Sequence, residues 1–469
     1  MNLRLTLPIL SLAIASTTAM AQWNADSTEY ESFDRYRLGG YGEMVASFKN
    51  YGTNRFNGTS QGNTHMHRGT IAIPRFTIAS DVKFSRHWVL STEMEFEAGG
   101  VGSALEIENT ENGEYETEVE KGGEVALEQF HLTYHLNSYF NLRVGHMVLP
   151  VGQTNRYHEP LNYFGTVRPE GESSLLPATW HETGLEVFGN FGRRWASMQY
   201  NAFVTAGLNA NGFDRNHWVQ GGKQGLFEQD NFTSPALVGR LSYTGVPGLT
   251  LGTTFYYLAN AAANSDKPQD YAFRVPVRIW SLDARYRNSW AEARANLLCG
   301  NLTNSVALSN KNVKLSNASP YTRTTPIAHR TICYGFEAGL RLKHFVRSSH
   351  MPDLVPFARY EYYDAQHRVD APKVADTRLQ TDVWVAGINY RPLPYLIVKA
   401  DYTKRRIGGG AFRSENEFAL GVAFANWFVT DRTVRDHKAR RQIVDQQQTI
   451  RELNARLESL ERRLDGESH

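Results

Sequence analysis

The segment 415–428, ENEFALGVAFANWF, alternates along its length. Phe418, Leu420, Val422 and Phe424 share one face, Ala419, Gly421, Ala423 and Ala425 the other, and Trp427 and Phe428 close the segment. A strand that meets lipid on one side and a lumen on the other needs this period of two. The same alternation recurs from Tyr36 onward and predicts sixteen strands: 36–48, 70–84, 88–98, 124–136, 140–149, 181–191, 195–206, 236–244, 249–260, 276–287, 290–300, 330–345, 354–364, 380–391, 394–404 and 414–428. The lipid-facing parity runs through Trp280, Leu282, Ala284 and Tyr286, then Tyr334, Phe336, Ala338, Leu340 and Leu342, then Leu396, Val398, Ala400 and Tyr402. Aromatics gather near strand ends, as interfacial girdles require. Tight turns at 85–87, 137–138, 192–194, 246–248, 288–289 and 391–394 alternate with long polar loops. That one-sidedness fits an all-β, transmembrane antiparallel β-barrel with turns in the periplasm and loops outside, and a soluble β-sandwich gives no reason for it. An even strand number places both barrel ends in the periplasm; one hairpin fewer or more gives fourteen or eighteen strands.

Beyond Phe428 the period changes. Ile443, Ile450, Leu453, Leu457, Leu460 and Leu464 are spaced by seven, three, four, three and four, a heptad seam with Gln446 as its polar layer and Arg456 and Glu461 flanking it. Residues 429–469 are therefore expected to form a periplasmic α-helical coiled-coil tail, with an amphipathic helix lying on its own barrel or on a periplasmic partner as the alternative. Ile at a with Leu at d leans towards dimers. At the other end, residues 1–21 read as a secretory signal, with Arg4, the apolar stretch 5–15 and the cleavage site Ala19-Met20-Ala21. A short periplasmic segment, 22–35, then leads into the barrel, 36–428. Later in the chain no run of about eighteen apolar residues occurs, which excludes a conventional membrane helix and leaves a barrel untouched.

On the opposite parity the strands carry charge: Arg75, Asp81 and Lys83, the acidic run Glu93, Glu95 and Glu97, then Asp283, Arg285, Arg287, Glu292, Arg294, Glu337, Arg341, Lys343, Arg359, Glu361, Lys399, Asp401 and Arg405. Such side chains are costly against lipid and should face a water-filled lumen. Glu93, Glu95 and Glu97 are the expected acidic pore lining. Arg285, Arg287, Arg294, Arg341, Lys343, Arg359 and Lys399 are the expected basic lining. Glu106, Glu108, Glu111, Glu114, Glu116, Glu118 and Glu120 crowd one loop, read either as part of the acidic arc or as a solvated external surface. With 50 basic and 48 acidic residues the chain is near neutral, and nothing points to nucleic acid.

The segment 152–184, GQTNRYHEPLNYFGTVRPEGESSLLPATWHETG, is too rich in Pro and Gly for a strand. It nonetheless holds Leu161, Tyr163, Phe164, Leu175, Leu176 and Trp180, which need burial. A loop with its own anchors is expected to fold inward over about 152–180, bringing Arg156, His158, Glu159, Arg168, Glu170 and Glu172 to a constriction; packing over the rim is the alternative. The run Asn155-x-x-His158-Glu159-Pro160, then Arg168-Pro169-Glu170, Leu176-Pro177-x-Thr179-Trp180 and Glu182-x-Gly184, resembles the corresponding segment of the phosphate-selective porin O and P superfamily, in its Bacteroidetes branch. The resemblance spans the barrel and implies a sixteen-stranded homotrimeric porin with an inward-folded loop. The arginines here alternate with Asp283, Glu292, Glu337, Glu361 and Asp401, so a general or weakly anion-preferring channel for small hydrophilic solutes is the expectation. An anion- or phosphate-selective pore, or a plugged structural barrel anchoring the coiled coil, are the alternatives.

Other chemistry is weaker. Cys299 and Cys333 flank one long loop in a chain bound for an oxidising compartment, yet their parities differ, so a disulfide and two free thiols both stand. His65 with His67, and His131 with His135, lack acidic or cysteine partners at ligand spacing, so no metal and no cofactor is expected. His181 and Glu182 beside Ser173 and Ser174 are the nearest approach to a hydrolase set, without a nucleophile signature, and no enzyme is expected. The partners expected are outer-membrane lipid, further copies of the chain, and solutes in transit through the outer membrane of a Gram-negative bacterium.

Overall fold

The computed structural model describes residues 34–51, 67–97, 124–224, 229–312, 326–346, 351–410 and 413–436, the backbone of 103–109 and 115–121, and short helical pieces up to 453. The signal segment, most of 22–35, His65 and the seam residues Ile443, Leu457, Leu460 and Leu464 lie outside the described residues.

The strands are β1 (Tyr36–Lys49), β2 (Arg68–Lys83), β3 (Trp88–Glu97), β4 (Ser103–Asn109), β5 (Tyr115–Lys121), β6 (Glu124–His135), β7 (Asn141–Val148), β8 (His181–Phe191), β9 (Met198–Thr205), β10 (Ala236–Tyr243), β11 (Leu249–Leu258), β12 (Val277–Arg287), β13 (Ala291–Leu302), β14 (Arg330–Leu340), β15 (Leu354–Arg368), β16 (Gln380–Leu393), β17 (Leu396–Ile407) and β18 (Ser414–Thr430). All but β4 and β5 form one closed sixteen-stranded antiparallel barrel. Closure is made by β1 on β18, in a register running from Phe48 opposite Phe418 to Arg37 opposite Thr430. The alternation that predicts the closing strand is visible in its burial: Phe418 and Leu420 are 43% and 44% exposed on the outer face, whereas Ala419 and Ala423 are 1% and 2% exposed on the inner one. A closed ladder satisfies every backbone group between neighbours and has no edge, which is why strands of this weak hydropathy can cross a bilayer.

Two departures from the sequence reading have physical causes. The glutamate-rich stretch, expected as loop, contains the hairpin β4–β5, paired from Ser103 opposite Lys121 to Asn109 opposite Tyr115. Leu105 and Ile107 alternate there with glutamates, a period-two signal hidden by the charge density. Strand β14 stops at Leu340 rather than 345: the Arg341 N–H donates to the Trp290 carbonyl at 2.8 Å, and the chain then coils into a helical turn, Leu342–Phe345, because β15 begins only at Leu354. Leu342 and Lys343 therefore leave the strand. Cys299 and Cys333 are free thiols on neighbouring strands, one residue apart in register and on opposite faces, with Cys333 buried and Cys299 half-buried.

Both ends of the barrel are tied together. Asp431 accepts from the backbone N–H of Asp34 at 3.0 Å and of Arg35 at 2.8 Å, and Asp34 in turn receives Arg432 at 2.9 Å and Arg435. The hydrogen bond from Arg432, then that from Arg435, lowers the Asp34 carboxyl pKa below its ordinary value. A depressed carboxylate stabilises above its unfolded pKa and loses that contribution as pH falls through the folded one. Acidification through the Asp34 carboxyl's lowered pKa, or Asp34→Asn at neutral pH, is expected to loosen the first turn of the tail helix, measured as faster amide exchange over 431–436 after correction for intrinsic rates; unchanged exchange in Asp34→Asn refutes this clamp.

Candidate functional site: the barrel lumen

The long connection between β7 and β8 leaves the wall at Leu149 and fills the barrel interior. It carries two short helices, α1 (Gln153–Arg156) and α2 (Glu170–Leu175). Its base is stapled by residues of the sequence motif. The Asn155 side chain donates to the Val151 carbonyl at 3.0 Å and accepts from the Trp180 N–H at 3.0 Å. Glu182 accepts from the Trp180 indole at 2.8 Å, from Thr205 at 2.5 Å and from the Gly207 N–H at 2.9 Å. Trp180, Leu175 and Leu176 are fully buried, with Phe164 stacked on Phe357 of β15 at 5.2 Å.

The loop grips the wall on several sides. Glu172 accepts from its own Thr154 N–H at 2.6 Å and from Asn296 of β13 at 2.8 Å. Glu361 of β15 accepts from the Gly171 N–H at 2.9 Å, and Asp401 of β17 from the Thr166 N–H at 2.6 Å. The ammonium of Lys399 donates to the carbonyls of Pro160, Tyr163 and Gly165 at 2.7, 2.9 and 2.8 Å. Arg405 pairs with Glu170 at 2.5 Å and with Glu417 at 3.0 Å. Three strands round the ring from β17, Arg75 of β2 donates to the His158 carbonyl at 2.5 Å and to Glu43 at 3.0 Å, while Tyr163 donates to Glu43 at 2.7 Å.

Register makes several expected lining residues neighbours. Arg285, Arg294, Glu337 and Arg359 are successive cross-strand neighbours on β12, β13, β14 and β15. Arg294 pairs with Glu337, and Arg359 with Glu361 at 2.8 Å. Glu292 is shared by Arg285, Arg287 and Arg391 at 3.3, 3.6 and 3.6 Å. In ring order β3 lies opposite β13, so the acidic and basic arcs face each other across the lumen. Glu93 and Glu95 are buried in the acidic arc, whereas Glu97 is exposed at the loop end of β3.

Arg287, Arg341 and Lys343 gather instead at the turn end. With Arg391 and Asp353 they line a cavity of about 280 Å³ below Leu161. Arg391 is absent from the sequence reading because Arg391-Pro392-Leu393-Pro394 looks like a turn, whereas β16 continues to Leu393. Of the loop residues, His158, Glu159 and Glu172 are buried, and Arg156, Arg168 and Glu170 are half-buried. Arg168 donates to Thr179 at 3.1 Å.

The hydrolase set does not assemble. Ser173 donates to the Pro169 carbonyl at 2.7 Å, while His181 contacts His146 and, at 2.9 Å, the Lys223 ammonium. His135 meets Asn141 at 3.3 Å and His131 lies 3.5 Å from Thr133, so these two histidines do not converge on one point.

No family model matches the chain. It is 24% identical over 382 residues to an uncharacterized protein of Aquifex aeolicus (strain VF5), covering 81% of this chain and 78% of that one. Among solved structures it is similar to the outer membrane channel DcaP of Acinetobacter baumannii, with TM-score 0.50, 12% identity, and coverage of 83% of this chain and 97% of that one. It is also similar to Pseudomonas putida OprB, with TM-score 0.50, 8% identity, and coverage of 84% and 94%. Closed ring, strand number and these likenesses show the fold of the porins, a closed sixteen-stranded antiparallel barrel.

Proposed function

We propose that this protein is an outer-membrane porin through which small hydrophilic solutes and ions diffuse passively, with a mild preference for anions. The observation that carries this reading is the charged loop held inside a closed sixteen-stranded barrel by polar contacts on several wall strands. A loop so placed narrows a lumen without closing the ring around it. The anion preference is supported by the turn-end cavity, lined by Arg287, Arg341, Lys343 and Arg391 together with Asp353, with Glu292 3.6 Å from both Arg287 and Arg391. Strong selectivity is disfavoured, because the arginines nearer the loop are matched by Glu292, Glu337 and Glu361. The likeness of the 155–184 run to the phosphate-selective porin O and P superfamily keeps a phosphate-selecting pore as the sharper alternative.

The assembly proposed is a homotrimer in outer-membrane lipid, with the tail periplasmic. Ile450 and Leu453 are each 56% exposed in the single chain, as seam residues awaiting a partner helix would be. Three barrels side by side would raise the effective concentration of their tails and offset the marginal stability of so short a coiled coil.

Planar-bilayer recording of the purified protein tests the function. Steady conductance with a reversal potential slightly favouring chloride over potassium in a salt gradient is expected. Strong anion selectivity would favour the phosphate reading. Absence of current would favour a second reading, a plugged barrel that anchors the coiled coil, which the complete burial of Leu175, Leu176 and Trp180 favours on structural grounds.

A further inference from the structure

Three side chains from distant parts of the chain meet in the acidic arc: Glu93 of β3, Glu128 of β6 and His158 of the inward loop. They are 1%, 0% and 1% exposed, and one ligand atom from each lies within 4.8 Å of the others. Glu128 is there because of a β-bulge. The register passes from Glu93 opposite Gln129 to Met94 opposite Leu127, so Glu128 is the extra residue and turns inward beside Gln129. A second irregularity, between Glu43 and Val45 where β1 meets β2, lies beside the same cluster at Arg75.

The hydrogen bonds around the cluster leave it short of donors. One oxygen of Glu93 is held by Gln129, and one oxygen of Glu128 by the Tyr41 hydroxyl at 2.8 Å. Among the described residues the other oxygen of each, Glu93 Oε1 and Glu128 Oε1, has no hydrogen-bond partner, and neither has His158 Nε2. His158 Nδ1 lies 3.1 Å from the Asn155 carbonyl. A carbonyl only accepts, so Nδ1 carries the proton, and in the neutral ring Nε2 presents its lone pair. Three acceptors thus converge, one ligand atom of each within 4.8 Å of the others. The guanidinium of Arg75 lies beside the cluster, but its Nε is bonded to Glu43, one Nη to the His158 carbonyl, and the other Nη reaches Glu95 at 3.8 Å. Buried carboxylates with no counter-charge are expensive, and a cation resolves both the charge and the missing donors.

We propose that Glu93, Glu128 and His158 bind a divalent first-row transition ion, zinc or manganese, which clamps the inward loop to β3 and β6. One imidazole with two carboxylates suits these ions better than calcium or magnesium, which favour all-oxygen sites. The ion would hold the loop at His158, two residues before the Pro160 carbonyl that Lys399 binds, so this stretch of the constriction would be tied to β3 and β6 as well as to β17. Only this last step rests on the reading of the protein as a porin. The metal itself is measured without reference to conductance.

The test is the full-length protein, purified without chelator and dialysed against metal-free buffer, then assayed by inductively coupled plasma mass spectrometry. About one zinc or manganese per chain is expected, falling at least tenfold in His158→Ala and in the near-isosteric Glu128→Gln. EDTA should lower the melting temperature of the wild type, added Zn²⁺ should restore it, and neither should move the variants. A protein that retains no ion, and whose melting temperature ignores both EDTA and Zn²⁺ while following pH, would show that the carboxylates share a proton instead and overturn the site. Calcium or magnesium alone, or metal content unchanged in both variants, would overturn it equally. Should both variants fail to fold, the chelation and readdition experiment on the wild type still decides.

Discussion

Replacing residues 153–176 with a short Gly-Ser link is expected to raise single-channel conductance several-fold. The segment contains α1, α2 and the contacts to Lys399, Asp401, Glu361 and Arg75, so its removal takes away the material that occupies the lumen. The barrel should survive the change. Its closure depends on the β1–β18 ladder, and the base of the loop depends on the β7–β8 pairing, which reaches Val148 opposite His181. Wall charges that lose loop partners gain water, so they are not left buried and unpaired. The cost is apolar: Phe164, Leu175 and Leu176 leave, and each contributed about 1.5–3 kcal/mol of burial. Planar-bilayer recording of folded variant and wild type side by side measures the effect. Equal conductance would refute the loop as the constriction, and current in the variant alone would identify the wild type as plugged.

What the sequence makes legible follows from which constraints are local. Lipid contact imposes a period of two on each strand separately, so Phe418, Leu420, Trp280 and Phe336 reveal their face from neighbours two positions away. The inward loop is legible for a similar reason, since Phe164, Leu175, Leu176 and Trp180 are apolar residues in a segment that cannot be a strand. Pairings across the lumen are not. Lys399 meets Pro160 at a sequence separation of 239, and Asp401 meets Thr166 at 235. No periodicity encodes such contacts; they depend on strand register and on how deep the loop descends. The clustering of Glu93, Glu128 and His158 also needs a bulge that switches the parity of β6, and parity counting misses such a switch. Lys343 illustrates the opposite failure, since the alternation of residue types continues past Leu340, where β14 ends and the chain turns into a helix.

Lys399→Met is expected to free the turn of the loop over 160–166 and to increase conductance, with a smaller effect than shortening the loop. The ammonium is 1% exposed, donates to three loop carbonyls and sits 4.2 Å from the centre of the Tyr163 ring. Methionine keeps the length of the side chain and removes all three donors. Leaving a buried carbonyl without its donor costs about 1–3 kcal/mol where nothing replaces it. Here the orphaned carbonyls lie beside a lumen, so water can reach them once the turn moves, and the loss should appear as local opening rather than unfolding of the ring. Faster amide exchange over 160–166 with unchanged exchange in β1 and β18 is the expected signature. Lys399→Arg should not rescue it, because a planar guanidinium cannot direct three donors at carbonyls arranged around one point. Wild-type exchange and conductance in Lys399→Met would show that the loop is held by its apolar anchors and that the ammonium adds nothing to its position.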